Sequence, residues 1–141
     1  MNNPKSHPVS TRRRRATTAV VTGVAAALAF APAAQARTVT VTSSGKSITV
    51  KKDDRIVVIV AENPSTGFSW KTIKKPSFLK QISSSYKADV VAGEQPLPGS
   101  GGKRTYRYRA TAKGIGTLKL RYQRGSDPSG ARNFSLKVTV K

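Results

Sequence analysis

The chain contains no cysteine and a single histidine, His7, among its 141 residues. The absence of cysteine rules out a disulfide frame and thiol chemistry, so stability must come from packing alone. His7 lies in an N-terminal segment with the order of a secretory leader. Arg12-Arg13-Arg14-Arg15 forms a basic region, Ala16 to Ala31 an apolar Ala-rich run, and Ala34-Gln35-Ala36 a small-x-small cleavage site. Residues 1–36 therefore read as a signal peptide cleaved before Arg37, and the product is expected to be secreted or extracytoplasmic. The apolar run is weakly hydrophobic and falls short of the ~20 residues of a spanning helix, so no membrane span is expected after cleavage. The arginine run resembles a twin-arginine export signal, but Ala16-Thr17-Thr18 lacks the bulky apolar pair such signals carry, which leaves the export route open.

Cleavage would remove the only histidine. Residues 37–141 then hold neither His nor Cys, which excludes Ser-His-Asp and Cys-His catalysis and removes the usual ligands of zinc and copper. No metal or cofactor is expected. Carboxylates are also scarce: Asp53, Asp54, Glu62, Asp89, Glu94 and Asp127 are all there are. The adjacent Asp53 and Asp54 follow Lys51-Lys52 and read as a solvated hairpin tip rather than a catalytic dyad. On this inventory the protein is not an enzyme.

Positive charge is abundant. Of 26 Lys and Arg, five lie in the leader (Lys5 and the four arginines), which leaves 21 against six acids, a net of +15. Such a surface attracts polyanions. The charges alternate with apolar residues, as in Lys103-Arg104-Thr105-Tyr106-Arg107-Tyr108-Arg109, the pattern of a sheet's solvent face. Tyr106 and Tyr108 beside Arg107 and Arg109 could stack bases, but no cluster has groove-reading geometry, so non-specific polyanion attraction is expected and specific nucleic-acid binding is not.

Residues 37–141 suit one domain with one modest core, expected as a monomer. Period-2 alternation dominates it. Thr38 to Thr42 and Lys46 to Lys51 flank the hairpin or bulge signal Ser43-Ser44-Gly45. Arg55 to Ala61 is a more continuous apolar run, expected to be covered on both sides. Trp70 to Lys74 follows, with Trp70 directed into the core. Phe78 to Ile82 fits either a short strand or a turn of helix and is read as a strand, and Ser84 to Val91 reads as another. Lys103 to Ala112 places Tyr106, Tyr108 and Ala110 on one face and Arg107 and Arg109 on the other. Thr117 to Tyr122 turns Leu118, Leu120 and Tyr122 inward, and Phe134 to Val140 closes the chain. About seven to eight strands without a convincing helix predict an all-β, immunoglobulin-like sandwich.

Three irregular loops interrupt this pattern: Glu62 to Ser69, Ala92 to Gly102, and Arg124 to Arg132. Each follows a strand heading toward the same end, so the three are expected to form one edge. The first is the most constrained. In Asn63-Pro64-Ser65-Thr66-Gly67, Pro fixes one φ, Asn and Ser can bond nearby backbone, and Gly admits a positive φ.

These residues resemble the chagasin-like inhibitors of papain-type cysteine proteases, and the resemblance spans nearly all of residues 37–141. The family's Asn-Pro-Thr-Thr-Gly-aromatic motif, with Trp two positions on, is matched by Asn63-Pro64-Ser65-Thr66-Gly67-Phe68 and Trp70. Its Gly-x-Gly-Gly loop is matched by Gly99-Ser100-Gly101-Gly102, followed by Tyr106 and Tyr108. The third motif, Arg-Pro-Trp, departs: this chain has Arg124-Gly125-Ser126 and keeps only the Arg. The resemblance implies a reversible inhibitor with no covalent step. Asn63 to Phe68 would enter the protease cleft with Ser65 and Thr66 near the catalytic Cys and His, Gly99 to Gly102 would line one side by backbone contact, and Arg124 the other. Loss of a buried aromatic anchor is worth about 2 kcal/mol, or about thirtyfold in affinity. The alternative function is a secreted basic adhesion or polyanion-binding module on the same sandwich, with inhibition lost along with that Trp.

Overall fold

The structure, a computed structural model, describes residues 35–90 and 93–141; the expected leader lies outside them apart from Gln35 and Ala36. The predicted alternation forms eight strands: β1 (Thr38–Val41), β2 (Lys46–Val50), β3 (Arg55–Glu62), β4 (Phe68–Lys74), β5 (Leu79–Ala88), β6 (Gly102–Ala110), β7 (Gly114–Arg124) and β8 (Asp127–Val140). They make two four-stranded sheets, ordered β1-β3-β6-β5 and β2-β8-β7-β4. The result is the all-β, immunoglobulin-like sandwich expected from the sequence.

The inward residues of the two sheets form one core. Ile56 and Val58 of β3, Tyr106 and Tyr108 of β6, Leu118 and Leu120 of β7, and Leu136 and Val138 of β8 are all buried, as alternation on β6 and β7 predicts. Burial pushes the Tyr108 phenol up to about 12, so this hydroxyl stays neutral in the core. Trp70 is half-buried against the core, and its indole N–H donates to Ala61 O at 2.9 Å.

Four expectations are corrected. Ser43-Ser44-Gly45 does not close a hairpin. It carries the chain from one sheet to the other, where β1 runs parallel to β3 and β2 parallel to β8. Gly45, at φ 79°, donates its N–H to Ser135 O at 2.8 Å and docks the turn on β8. β3 is covered on one side only: Ile56, Val58, Val60 and Glu62 are buried while Val57 and Ile59 are half-buried, because β-branched residues suit either face of a strand. The two strands expected between 78 and 91 are one, β5, whose register against β6 shifts between Gln81 and Ser83.

The fourth correction concerns the acidic pair. Asp53, at φ 72°, reaches Arg109 Nη2 at 2.7 Å, but Asp54 is buried. The Asp54 carboxylate accepts the backbone N–H of Lys51 at 2.8 Å and of Arg37 at 2.9 Å. Those bonds, Lys51's first, hold its pKa below the usual carboxylate range. A depressed pKa in the folded state adds stability above the unfolded value near ~4, and that stability is lost as pH falls through the folded value. Asp54→Asn should therefore lower the thermal midpoint at pH 7, and the variant and parent midpoints should converge in strong acid; a gap that persists there would contradict this role.

Candidate functional site

At the end of the sandwich where β3 finishes and β4 begins, Asn63 organises a single 3-10 turn, Pro64–Thr66. Asn63 Oδ1 accepts the Ser65 backbone N–H at 3.2 Å and the Ser65 hydroxyl at 2.6 Å. Asn63 O accepts the Thr66 hydroxyl at 2.6 Å. Pro64 opens the turn, where its missing N–H would have no helical partner. Gly67 ends it at φ 76°, in the left-handed region that favours glycine, and donates its N–H to Pro64 O at 3.0 Å. The two hydroxyls are thereby engaged with the loop's own backbone, and Pro64, Ser65, Thr66 and Gly67 all stand exposed.

The turn is buttressed on both flanks. The Asn63 side-chain amide donates to Gly99 O at 3.0 Å, tying it to the Gly-rich loop. Its backbone N–H donates to the Tyr122 hydroxyl at 2.9 Å, tying it to the core of the β4–β7 sheet. Phe68, half-buried, stacks on Tyr122 with ring centroids 5.3 Å apart, and the Arg124 guanidinium lies 5.6 Å from the Phe68 ring centre. The three segments singled out from the sequence thus meet at one end.

Within the Gly-rich loop the members differ. Gly99, at φ 83°, is exposed, and Ser100 donates its N–H to Leu97 O at 3.0 Å. Gly101 is half-buried and accepts from Asp89 N at 2.9 Å. Gly102 is buried between β3 and β5, paired with Glu62 and Ala88; a Cβ there would lie 2.3 Å from Lys87 O and 2.8 Å from Ala88 Cα. Its glycine is explained by strand packing. Exposed backbone in this loop is concentrated at Gly99.

The third segment is not the open loop expected. β7 and β8 are joined by the two-residue turn Gly125-Ser126, with Arg124 opposite Asp127. The register then shifts so that Tyr122 faces Arg132, and Pro128 to Ala131 bulge out opposite Gln123. Asp127 caps the bulge, accepting the Ser129 N–H at 2.8 Å, which holds its carboxyl below the ordinary range. The same carboxylate lies 3.4 Å from Arg124 Nη2.

One feature of this end had no sequence signal. Glu62, with its side chain 1% exposed, pairs with Arg104 of β6 directly beneath the turn. That carboxylate's hydrogen bond raises the Arg104 guanidinium above its ordinary value.

Among the described residues no cluster of His, Cys, Asp or Glu could hold a metal ion, and no helix is long and apolar enough to cross a membrane. The model of the chagasin family of peptidase inhibitors (I42) matches residues 49–139. Amoebiasin-1 of Entamoeba histolytica is 31% identical over 100 residues, covering 70% of this chain and 94% of that protein. The solution structure of Amebosin aligns with a TM-score of 0.59 at 31% identity, over 76% of this chain and 99% of the other. The crystal structure of a cysteine protease inhibitor from Entamoeba histolytica aligns at 0.62 and 20% identity, over 74% and 95%, and shares the fold. With the family pattern running from β2 to β8 and a relative above 30% identity along nearly its whole length, the chain belongs to the chagasin family of peptidase inhibitors, which are not enzymes.

Proposed function

We propose that this protein is a reversible inhibitor of papain-type cysteine proteases, inserting Asn63 to Phe68 into the active-site cleft as a wedge. The observation that carries this reading is the wedge's construction: an exposed turn whose polar groups are satisfied internally and whose base is bonded to both flanking segments. A loop already held in one shape loses little entropy on binding. Gly99 to Gly101 would supply backbone contact on one side, with Gly102 anchoring that loop from within the sheet, and Arg124 would contribute on the other. The tight Gly125-Ser126 turn leaves that second flank without a large apolar anchor, so its contribution is polar. The alternative of a polyanion-binding module that has lost inhibition draws on the sheet faces rather than this edge; polyanion attraction by those faces can coexist with inhibition, so loss of inhibition is what separates the two readings.

Export belongs to the same proposal. Cleavage before Arg37 would convert the Arg37 N–H into an α-ammonium group at the position now 2.9 Å from Asp54 Oδ1, giving the mature chain an ion pair at its amino terminus.

Titration of purified protein against papain and a cathepsin-type protease tests the inhibitor reading. Complete inhibition that reverses on dilution is expected, with only modest dependence on ionic strength. Full protease activity at micromolar inhibitor would overturn it.

A further inference from the structure

The two outer sheet faces are charged differently. On the β1-β3-β6-β5 sheet, acids offset part of the charge: Arg109 pairs with Asp53 at 2.7 Å and Lys103 with Asp89 at 3.8 Å. On the β2-β8-β7-β4 sheet, alternation turns Lys71, Lys119, Arg121 and Lys137 outward, away from the buried Leu118, Leu120, Leu136 and Val138, and a register shift between Thr72 and Lys74 brings Lys74 opposite Lys119 on the same face. The one acid in this sheet, Asp127, sits at the β7–β8 turn beside Arg124, and among the described residues none of these five cations is in an ion pair.

Two placements make the face more than a solvated surface. Lys71 is directly opposite Arg121, and Lys74 directly opposite Lys119, like-charged cross-strand pairs with Cβ atoms about 5 Å apart, a modestly destabilising arrangement that a bound anion would relieve, although Lys71 Nζ also donates to Gly125 O at 3.4 Å. Beside them is a cleft of about 320 Å³, lined by Ile73, Lys119, Arg121, Asn133 and Ser135. Arg121 Nε is buried there without a hydrogen-bond partner.

We infer that this face binds a linear acidic polysaccharide across β4, β7 and β8. On β7, Lys119 and Arg121 stand two residues and ~7 Å apart, and with Lys71 and Lys74 opposite them they make a four-cornered array suited to repeated sulfate or carboxylate groups. The positions between them are hydroxyl and amide side chains: Thr117, Ser135, Asn133, Gln123 and Ser47 stand beside Lys119, Arg121 and Lys137 in the ladder. These can bond sugar hydroxyls. No aromatic ring shares the face, since Phe68, Trp70, Tyr122 and Phe134 turn inward or pack at the loop end, so the stacking platform of a single-strand nucleic-acid site is missing. The wedge turn lies at the end of the sandwich, clear of the face.

The test measures binding of heparin and polygalacturonate to the purified protein across a salt series. The comparison variants are the triple replacement Lys71→Gln, Lys119→Gln, Arg121→Gln and a charge-matched control on the opposite sheet, Arg55→Gln, Lys80→Gln, Arg107→Gln. Both polysaccharides should bind the parent, with at least about tenfold weaker binding and a shallower salt dependence in the face variant, and less than about threefold change in the control. The face variant should unfold no earlier than the parent, since it relieves like-charge pairs, and Lys119→Gln alone supplies a milder check. Equal losses in the two triple variants, absence of binding, or tighter binding to single-stranded DNA or anionic vesicles than to either polysaccharide would overturn the assignment.

Discussion

Arg104→Met is expected to lower the free energy of unfolding by about 3–5 kcal/mol, the usual consequence of stranding one member of a buried ion pair. The Glu62 side chain is 1% exposed and that of Arg104 is 26% exposed, so removal of the guanidinium leaves a carboxylate with almost no access to water. Arg104 also lies over the Tyr86 ring, 5.6 Å from its centre, so its stem and plane are packed as well as paired. Methionine retains much of that volume, which isolates the loss of charge. The double variant Glu62→Gln with Arg104→Met should recover most of the deficit, because the stranded charge is then gone. Urea denaturation of the four proteins in this cycle measures both effects. A single variant with the parent's midpoint would show that the pair does not support this end of the sandwich. Because Glu62 directly precedes Asn63, a loss of stability here is also expected to loosen the wedge turn.

The strands and the first loop were legible because their signals are local. Alternation assigned the faces of β6 and β7, and the side chains of Asn63-Pro64-Ser65-Thr66-Gly67 carry their own turn chemistry within five positions. The third segment departs from the expected loop for a physical reason. Gly125, Pro128 and Gly130 normally break strands, yet β2 pairs with β8 only over Leu136 to Val140, so the first half of β8 has no neighbour on that side. The bulge opposite Gln123 leaves Pro128 and Gly130 outside the regular ladder, where a missing donor and a positive φ are tolerated. Asp54 bonds Lys51 three residues away, but its burial also depends on Arg37, 17 residues away, and the Glu62–Arg104 pair spans 42. Contacts of that separation are created by the pairing of strands, β1 with β3 for Asp54 and β3 with β6 for Glu62, and leave no pattern along the chain.

Gly67→Pro is expected to weaken protease inhibition about a hundredfold or more while leaving the sandwich folded. Proline locks φ near −65° where the native value is 76°, and it deletes the N–H that closes the turn on Pro64 O at 3.0 Å. Both losses fall on the same turn, and a local penalty of about 3 kcal/mol corresponds to about a hundredfold in affinity. The core should not register it, because the turn contributes no buried residue. Gly67→Ala separates conformation from the missing donor. It keeps the N–H and bears a left-handed penalty of about 1–2 kcal/mol, and its Cβ would meet the flexible Arg124 Cδ at 3.3 Å, so inhibition should fall between parent and Pro variant. Inhibition constants ordered Gly, Ala, Pro, in variants that still unfold cooperatively and lose no more stability than the local strain of the turn, would identify the turn's shape as the source of affinity. A Pro variant that inhibits as well as the parent would show that binding does not pass through this turn, even if inhibition itself is confirmed. The relevant surface would then have to be sought at the Gly99 loop or the Gly125-Ser126 hairpin.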